Sequence, residues 1–218
     1  MNFKFASLAA ASGLLLAASQ ASAVVITFED LAPGAILSNQ YAALGAIFSP
    51  NVFTGPGSST SGEEWASNTD MTIVSSTGPD VGGLGTPVGV VSGNILRSFD
   101  GWLSEDGDPS FSISFSTPVS SVSAAFAGVT GAADVRLFAY NGATLLGTVA
   151  GSSPGQFVLS FAATSITRVN IAPGSFDDWV GVDNINFVPV PEPGTYGLMA
   201  LGLGVVGWAR LRAARRQH

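Results

Sequence analysis

The chain contains no cysteine. That excludes disulfides, thiol catalysis, haem attachment through thioethers and thiolate zinc sites. Its one histidine is the final residue, His218, and its one lysine is Lys4. Between those two ends no imidazole, amine or thiol is available. Ser-His-Asp and Cys-His catalysis, Schiff-base chemistry and His-ligated metal centres are therefore excluded for the body of the protein. Carboxylates, hydroxyls and tyrosine remain for acid–base work. A carboxylate-pair glycosidase is then the one common enzymatic mechanism left open, and the composition points to a protein that is not an enzyme. Cations are scarce as well. Residues 24–190 hold fourteen Asp and Glu against Arg97, Arg136 and Arg168, a net charge of −11. An acidic body of this kind is a poor ligand for nucleic acid, whose phosphates need cations, and it does not dock on anionic lipid.

What the chain does have is concentrated at its two ends. Residues 1–23 place Lys4 before an apolar run over 8–18 and close on Ala21-Ser22-Ala23. A positive start, a short apolar stretch and a small-residue site are the parts of a secretory signal peptide. Cleavage by signal peptidase is expected after Ala23, with Val24 as the new N-terminus. The other reading, a buried first helix, fits these flanks poorly.

The far end reads Pro191-Glu192-Pro193, then an uncharged Gly- and Leu-rich run to Ala209, then Arg210, Arg212, Arg215 and Arg216. The prolines fix φ and remove two backbone donors, so the spacer continues neither sheet nor helix. Residues 196–209 would make a helix of about 21 Å, short of the roughly 30 Å hydrocarbon core. Flanking uncharged residues and snorkelling arginine stems lengthen it. A one-sided arginine cluster predicts a single transmembrane helix with a cytoplasmic C-terminus. The alternative, a buried core helix, rarely ends in four arginines.

This tail resembles the PEP-CTERM sorting signal: Val190-Pro191-Glu192-Pro193, an apolar helix and a terminal arginine cluster, in that order, over about residues 190–216. The resemblance implies an exported protein of a Gram-negative bacterium that makes extracellular polysaccharide. It also implies recognition by exosortase, a membrane cysteine protease-transpeptidase, and removal or exchange of the tail near Pro191–Pro193. The expected partners are then the signal peptidase, the sorting enzyme, the inner membrane through the tail, and exopolysaccharide in a biofilm matrix. The protein would end in the cell envelope or the matrix.

Between the signals lies one domain, expected over residues 24–188, with the sorting region at 189–218. Sustained helical periodicity is absent, and strand signals recur at sandwich spacing. Strands are expected at 24–28, 71–75, 88–91, 95–99, 119–126, 135–140, 143–149, 166–171 and 180–187. Phe111, Ile113 and Phe115 should face the core, as should Phe157, Leu159 and Phe161. Asn141-Gly142 predicts a type I′ hairpin, and 40–45 one helical turn. The fold class is all-β, a single β-sandwich.

Ile26-Thr27-Phe28-Glu29-Asp30-Leu31, the later Tyr41-Ala42-Ala43-Leu44-Gly45-Ala46-Ile47-Phe48 and the closing Gly181-Val182-Asp183-Asn184-Ile185-Asn186-Phe187 are similar to the ends of exported galactose-binding-type jelly rolls. Many of these bind carbohydrate, and related ones hold a structural calcium where first and last strands meet. That resemblance makes Glu29, Asp30 and Asp183 candidate calcium ligands, since hard oxygens suit Ca²⁺. The plainer reading has Glu29-Asp30 capping a turn and Asp183 accepting local backbone bonds. Trp65 and Trp179 each follow an acidic pair, and Trp102 lies among Asp100, Glu105, Asp106 and Asp108. An aromatic face beside carboxylates can hold a sugar, and the same tryptophans can simply anchor loops on the core. Three functions stay open: a matrix protein with weak sugar binding, a carboxylate-dependent glycan hydrolase, and a structural spacer.

Overall fold

The computed structural model describes residues 22–50, 71–77, 90–98, 110–129, 135–172 and 180–191, with positions 197, 200, 202–208 and 212 of the tail. The described body is all-β. Nine strands run in the order β1 (Val24–Ile26), β2 (Ala46–Pro50), β3 (Met71–Ser75), β4 (Asn94–Ser98), β5 (Phe111–Val129), β6 (Arg136–Asn141), β7 (Thr144–Ala150), β8 (Gly155–Ala172) and β9 (Gly181–Pro189). A 3-10 turn, Ala42–Leu44, precedes β2, close to the expected helical turn. Every pairing is antiparallel.

The architecture follows from two long strands. β5 and β8 pair at both of their ends, but the register breaks between Ser114 and Val119. Four residues of β5 there, including Thr117 and Pro118, oppose a single residue of β8, Thr167. Proline cannot donate to a ladder and is tolerated where a strand is irregular. Before the break β5 pairs with β2, and β8 pairs with β6, which carries β7. Beyond it β5 pairs with β9, and β9 carries β1 and β4, with β3 outermost. The sheet thus divides into two layers that share β5 and β8. Aromatic contacts close the space between them. Phe28, beyond β1, meets Phe48 of β2 at 6.2 Å between centroids, and Phe115 of β5 meets Phe187 of β9 at 5.0 Å. The result is sandwich-like, with one main core.

Several expectations hold and some move. Phe111, Ile113 and Phe115 all enter the core, and Phe157, Leu159 and Phe161 pack against or within it. The expected strand at 119–126 is the second half of β5, and that at 166–171 is the end of β8. A turn signal inside a strand marked a bend between layers, not a chain reversal. β1 stops at Ile26 because Phe28 takes a positive φ of 60°. Val90 and Val91 are not strand. Val91 instead joins Ile95, Ala125 and Ala127 in a small apolar cluster outside the main core.

The β6–β7 hairpin forms, but its turn is not type I′. Asn141 pairs with Thr144, so Gly142 and Ala143 are the central residues, and only Gly142 has a positive φ, 57°. That sign pattern belongs to type II′, which wants glycine first. Thr167 Oγ accepts from Gly142 N at 2.8 Å. The hydroxyl at the bend of β8 therefore ties the hairpin down.

Candidate functional site

Two places carry the residues singled out by sequence. The first is the junction of chain ends. β1 pairs with β9 through Val24–Phe187, Val25–Asn186 and Ile26–Ile185. On β9, Asn184 and Ile185 oppose Ala124 of β5 between the pairs Ser123–Asn186 and Ala125–Asp183, a bulge with Asn184 at φ 49°. Bulges re-aim side chains. Here the main core takes Val182, Ile185 and Phe187, while Asp183 is buried beneath the segment 90–94.

That segment binds both carboxylates through its backbone. Ser92 N donates to Asp183 Oδ2 at 3.2 Å, and Asn94 N donates to Glu29 Oε1 at 3.1 Å. Asn184 N donates to Asp183 Oδ1 at 2.6 Å. Two asparagines complete the net: Asn94 Nδ2 donates to Leu31 O at 2.8 Å, and Asn184 Nδ2 to Val90 O at 2.7 Å. Gly93, at φ 65°, lies directly against the Glu29 carboxylate, so a Cβ there would collide with it. The positive φ favours glycine at 93, and a Cβ there would displace the Glu29 carboxylate from its bond to Asn94 N. Sequence reading singled out the carboxylates and missed Ser92, Gly93, Asn94 and Asn184. The Ser-Gly-Asn triplet was the available signal, as turn chemistry.

Asp30 is turned elsewhere. Its Oδ1 accepts from the Tyr41 hydroxyl at 2.6 Å. Burial, then the hydrogen bond and charge of Asp30, push that phenol well above its usual range. Of the three candidate calcium ligands, the structure brings Glu29 and Asp183 to one segment and sets Asp30 on Tyr41. Among the described residues no group of three or more His, Cys, Asp or Glu is arranged to hold a metal ion.

Asp183 has a raised pKa of about 6. Desolvation is the chief cause. Repulsion from Glu29 adds to it, and the Ser92 and Asn184 amides oppose it. Unfolded, the carboxyl returns to its ordinary value near 3.9. The folded state therefore binds the proton more tightly, so this group's stabilising contribution is complete below about pH 4 and is lost as pH rises through about 6. After allowance for solvent screening the loss is about 2 kcal/mol. Unfolding measured across this window should show the slope in wild type and its absence in Asp183→Asn. Equal slopes in both would remove Asp183 from the account.

The second place is the tail. Val190 N donates to Pro118 O at 2.8 Å, a last tie to the bend of β5. Pro191 has no N–H and cannot extend it. Positions 197, 200, 202–208 and 212 are helical. Val205, Val206 and Trp208 are each more than half exposed, so this helix is not packed on the sandwich as a core helix would be. The Arg212 guanidinium lies over the Trp208 ring at 4.2 Å. Among the described residues no helix is long and apolar enough to cross a membrane. Glu192, Pro193, Arg210, Arg215 and Arg216 lie outside the described residues, as do Trp65, Trp102, Trp179 and residues 1–21.

Residues 189–216 match the PEP-CTERM protein-sorting motif. The motif implies export and membrane-anchored sorting by an exosortase-type system. Among solved structures the chain is similar to the K2 cleaved adhesin domain of Lys-gingipain, with a TM-score of 0.45 and 12% identity, covering 77% of this chain and 99% of that one. Comparison with curated proteins finds no match.

Proposed function

We propose that this protein is a non-enzymatic surface or matrix protein, delivered by its two terminal signals and associated with exopolysaccharide. The observation that carries the reading is the boundary at Val190: the last tie to the sheet and the start of the sorting motif are adjacent residues. Cutting at Pro191–Pro193 would release the sandwich without breaking a strand. Residues 1–23 act as the signal peptide. The tail spans the inner membrane as one helix, with Arg210, Arg212, Arg215 and Arg216 on the cytoplasmic side. The sandwich is of the jelly-roll, galactose-binding type, and it ends in the envelope or the extracellular matrix.

Weak carbohydrate binding would use the faces of Trp65, Trp102 and Trp179 beside their acidic neighbours. Calcium would sit against Glu29 and Asp183. A bound cation would favour the charged form of Asp183 and flatten or reverse its pH slope, so stability measured with added calcium tests it directly.

One observation favours a second reading, a carboxylate-dependent glycan hydrolase. Asp183 has the raised pKa of a general acid and a second carboxylate, Glu29, nearby. Against it, both Asp183 oxygens already accept backbone amides. Incubation with polysaccharides of the native host should give retention without release of reducing ends. Release that disappears in Asp183→Asn and Glu29→Gln would establish the hydrolase instead. A spacer with no glycan function would give neither retention nor release.

A further inference from the structure

The layer that joins the first half of β5 to β8 and β6 has an outward face. Val169 and Ile171 of β8 and Leu137 and Ala139 of β6 enter the main core. Side chains alternate along a strand, so Arg168 and Asn170 of β8 face the opposite way, as do Phe138 and Tyr140 of β6. Register sets them in two rungs that cross three strands. One is Ser114–Arg168–Tyr140 and the other Ser112–Asn170–Phe138. Burial changes between the rungs on every strand. Ser114, Arg168 and Tyr140 are half-buried, whereas Ser112, Asn170 and Phe138 are 6%, 6% and 8% exposed. The face is thus partly open at the first rung and closed at the second.

Each rung leaves one polar atom unsatisfied. Among the described residues, neither Arg168 Nε nor Asn170 Oδ1 has a hydrogen-bond partner, and both atoms are buried. Ser112, beside Asn170, turns its hydroxyl to Ser49 Oγ at 2.8 Å instead. The Arg168 guanidinium lies over the Tyr140 ring at 4.6 Å. Stacking occupies the flat of the guanidinium and leaves its N–H edge for an anion. Buried polar atoms in native proteins are nearly always satisfied, so two on one face point to a bound group that satisfies both.

We infer that this face binds an acidic sugar residue, with Arg168 on its carboxylate and Asn170 on a hydroxyl. The chemistry of the two atoms selects that class. Nε needs an acceptor and Oδ1 needs a donor, and they stand two positions apart on one strand, about 7 Å. Ionised sulfate answers the first and carries no donor for the second. A neutral sugar answers the second and leaves the guanidinium without an anion. One uronic acid ring carries its carboxylate and its far hydroxyls at opposite ends, and meets both. The acidic body opposes anions at long range, but salt screens that repulsion beyond about 8 Å at physiological ionic strength. The inference rests on the reading of this protein as associated with exopolysaccharide, and narrows it to a polymer that contains uronic acid.

Calorimetry of the full chain in mild detergent with tetragalacturonate tests the site. The acid should bind about tenfold more tightly than its methyl ester, which keeps the hydroxyls and loses the charge. Arg168→Gln should abolish that preference. Arg168→Lys, which keeps the charge and lacks the planar fork, should keep part of it. Asn170→Leu should weaken binding with Tm unchanged or higher, because it removes an unpaired carbonyl and breaks no bond. A lower Tm with unchanged binding would give Asn170 a purely structural role and overturn the site. So would equal affinity for acid and ester, a preference that survives Arg168→Gln, or displacement by inorganic sulfate as readily as by free galacturonate. The host's own polysaccharide separates this inference from the reading beneath it. Retention of that polymer without a preference for the acid sinks the site alone. Preference for the acid without retention upholds the site and sinks the matrix reading.

Discussion

Replacing Pro191, Glu192 and Pro193 together by alanine should leave the chain uncut in its native host. It would then be retained in the membrane fraction at full tail length, with the processed form almost wholly lost. Among the described residues, Val190 is the last whose amide is tied to the sheet. Proline favours extended backbone for itself and for the residue before it and offers no amide donor, so Pro191-Glu192-Pro193 has the chain chemistry that a protease binds in extended form. Alanine restores two donors and raises helical propensity, which removes that preference. The measurement is the mass of the protein recovered from cells with and without the sorting enzyme. Wild-type chain should lose mass at both ends, the triple variant only at the N-terminus. Normal processing of the triple variant would show that the tail is read elsewhere. The folded domain should be indifferent, because no described sheet pairing lies beyond Pro189.

Phe48→Ala should cost about 3–5 kcal/mol of folding stability, a fall in Tm of about 10 °C for a domain of this size. Phe48 is buried, and its ring meets Phe28 at 6.2 Å and Tyr41 at 6.0 Å edge-on, and Phe111 at 6.3 Å stacked. It therefore joins the segment after β1, the turn before β2 and the first half of β5. β2 has five residues and a single strand partner, β5. Besides its ladder to β5, this ring is its main apolar anchor across the core. Val25→Ala, exposed on β1, serves as the control and should change stability by less than about 1 kcal/mol. Chemical unfolding of both variants decides the matter. A Phe48→Ala loss no larger than the control's would mean that the aromatic cluster is not the centre of the core.

The sorting motif of this protein was legible residue by residue, because such a tail is linear chemistry. Prolines, an apolar run and arginines act through composition and order, and no distant contact is needed to give them meaning. The all-β class was legible for a related reason. Alternation such as Phe111, Ile113 and Phe115 is a local property of a strand with a buried face. The catalytic side chains that the body lacks could also be read from the chain alone.

Folding decided what depends on residues far apart in the chain. Pro118 ends a strand in most contexts, yet here β5 runs through it and changes layer, because β8 bends beside it. For Asp183 the sequence left two readings open, a calcium ligand and an acceptor of backbone bonds, and the structure shows the backbone bonds. The bulge at Asn184 and the segment 90–94, about ninety residues away in sequence, bury it on backbone amides. Asp30, its expected companion, was claimed by Tyr41. The uncharged stretch from 137 to 167 was visible in the chain, but that it forms the β6–β7 hairpin and the first half of β8 was not. Local patterns record what each segment can form. Which layer a strand joins, and which carboxylate loses its water, depends on long-range pairings that no single segment encodes.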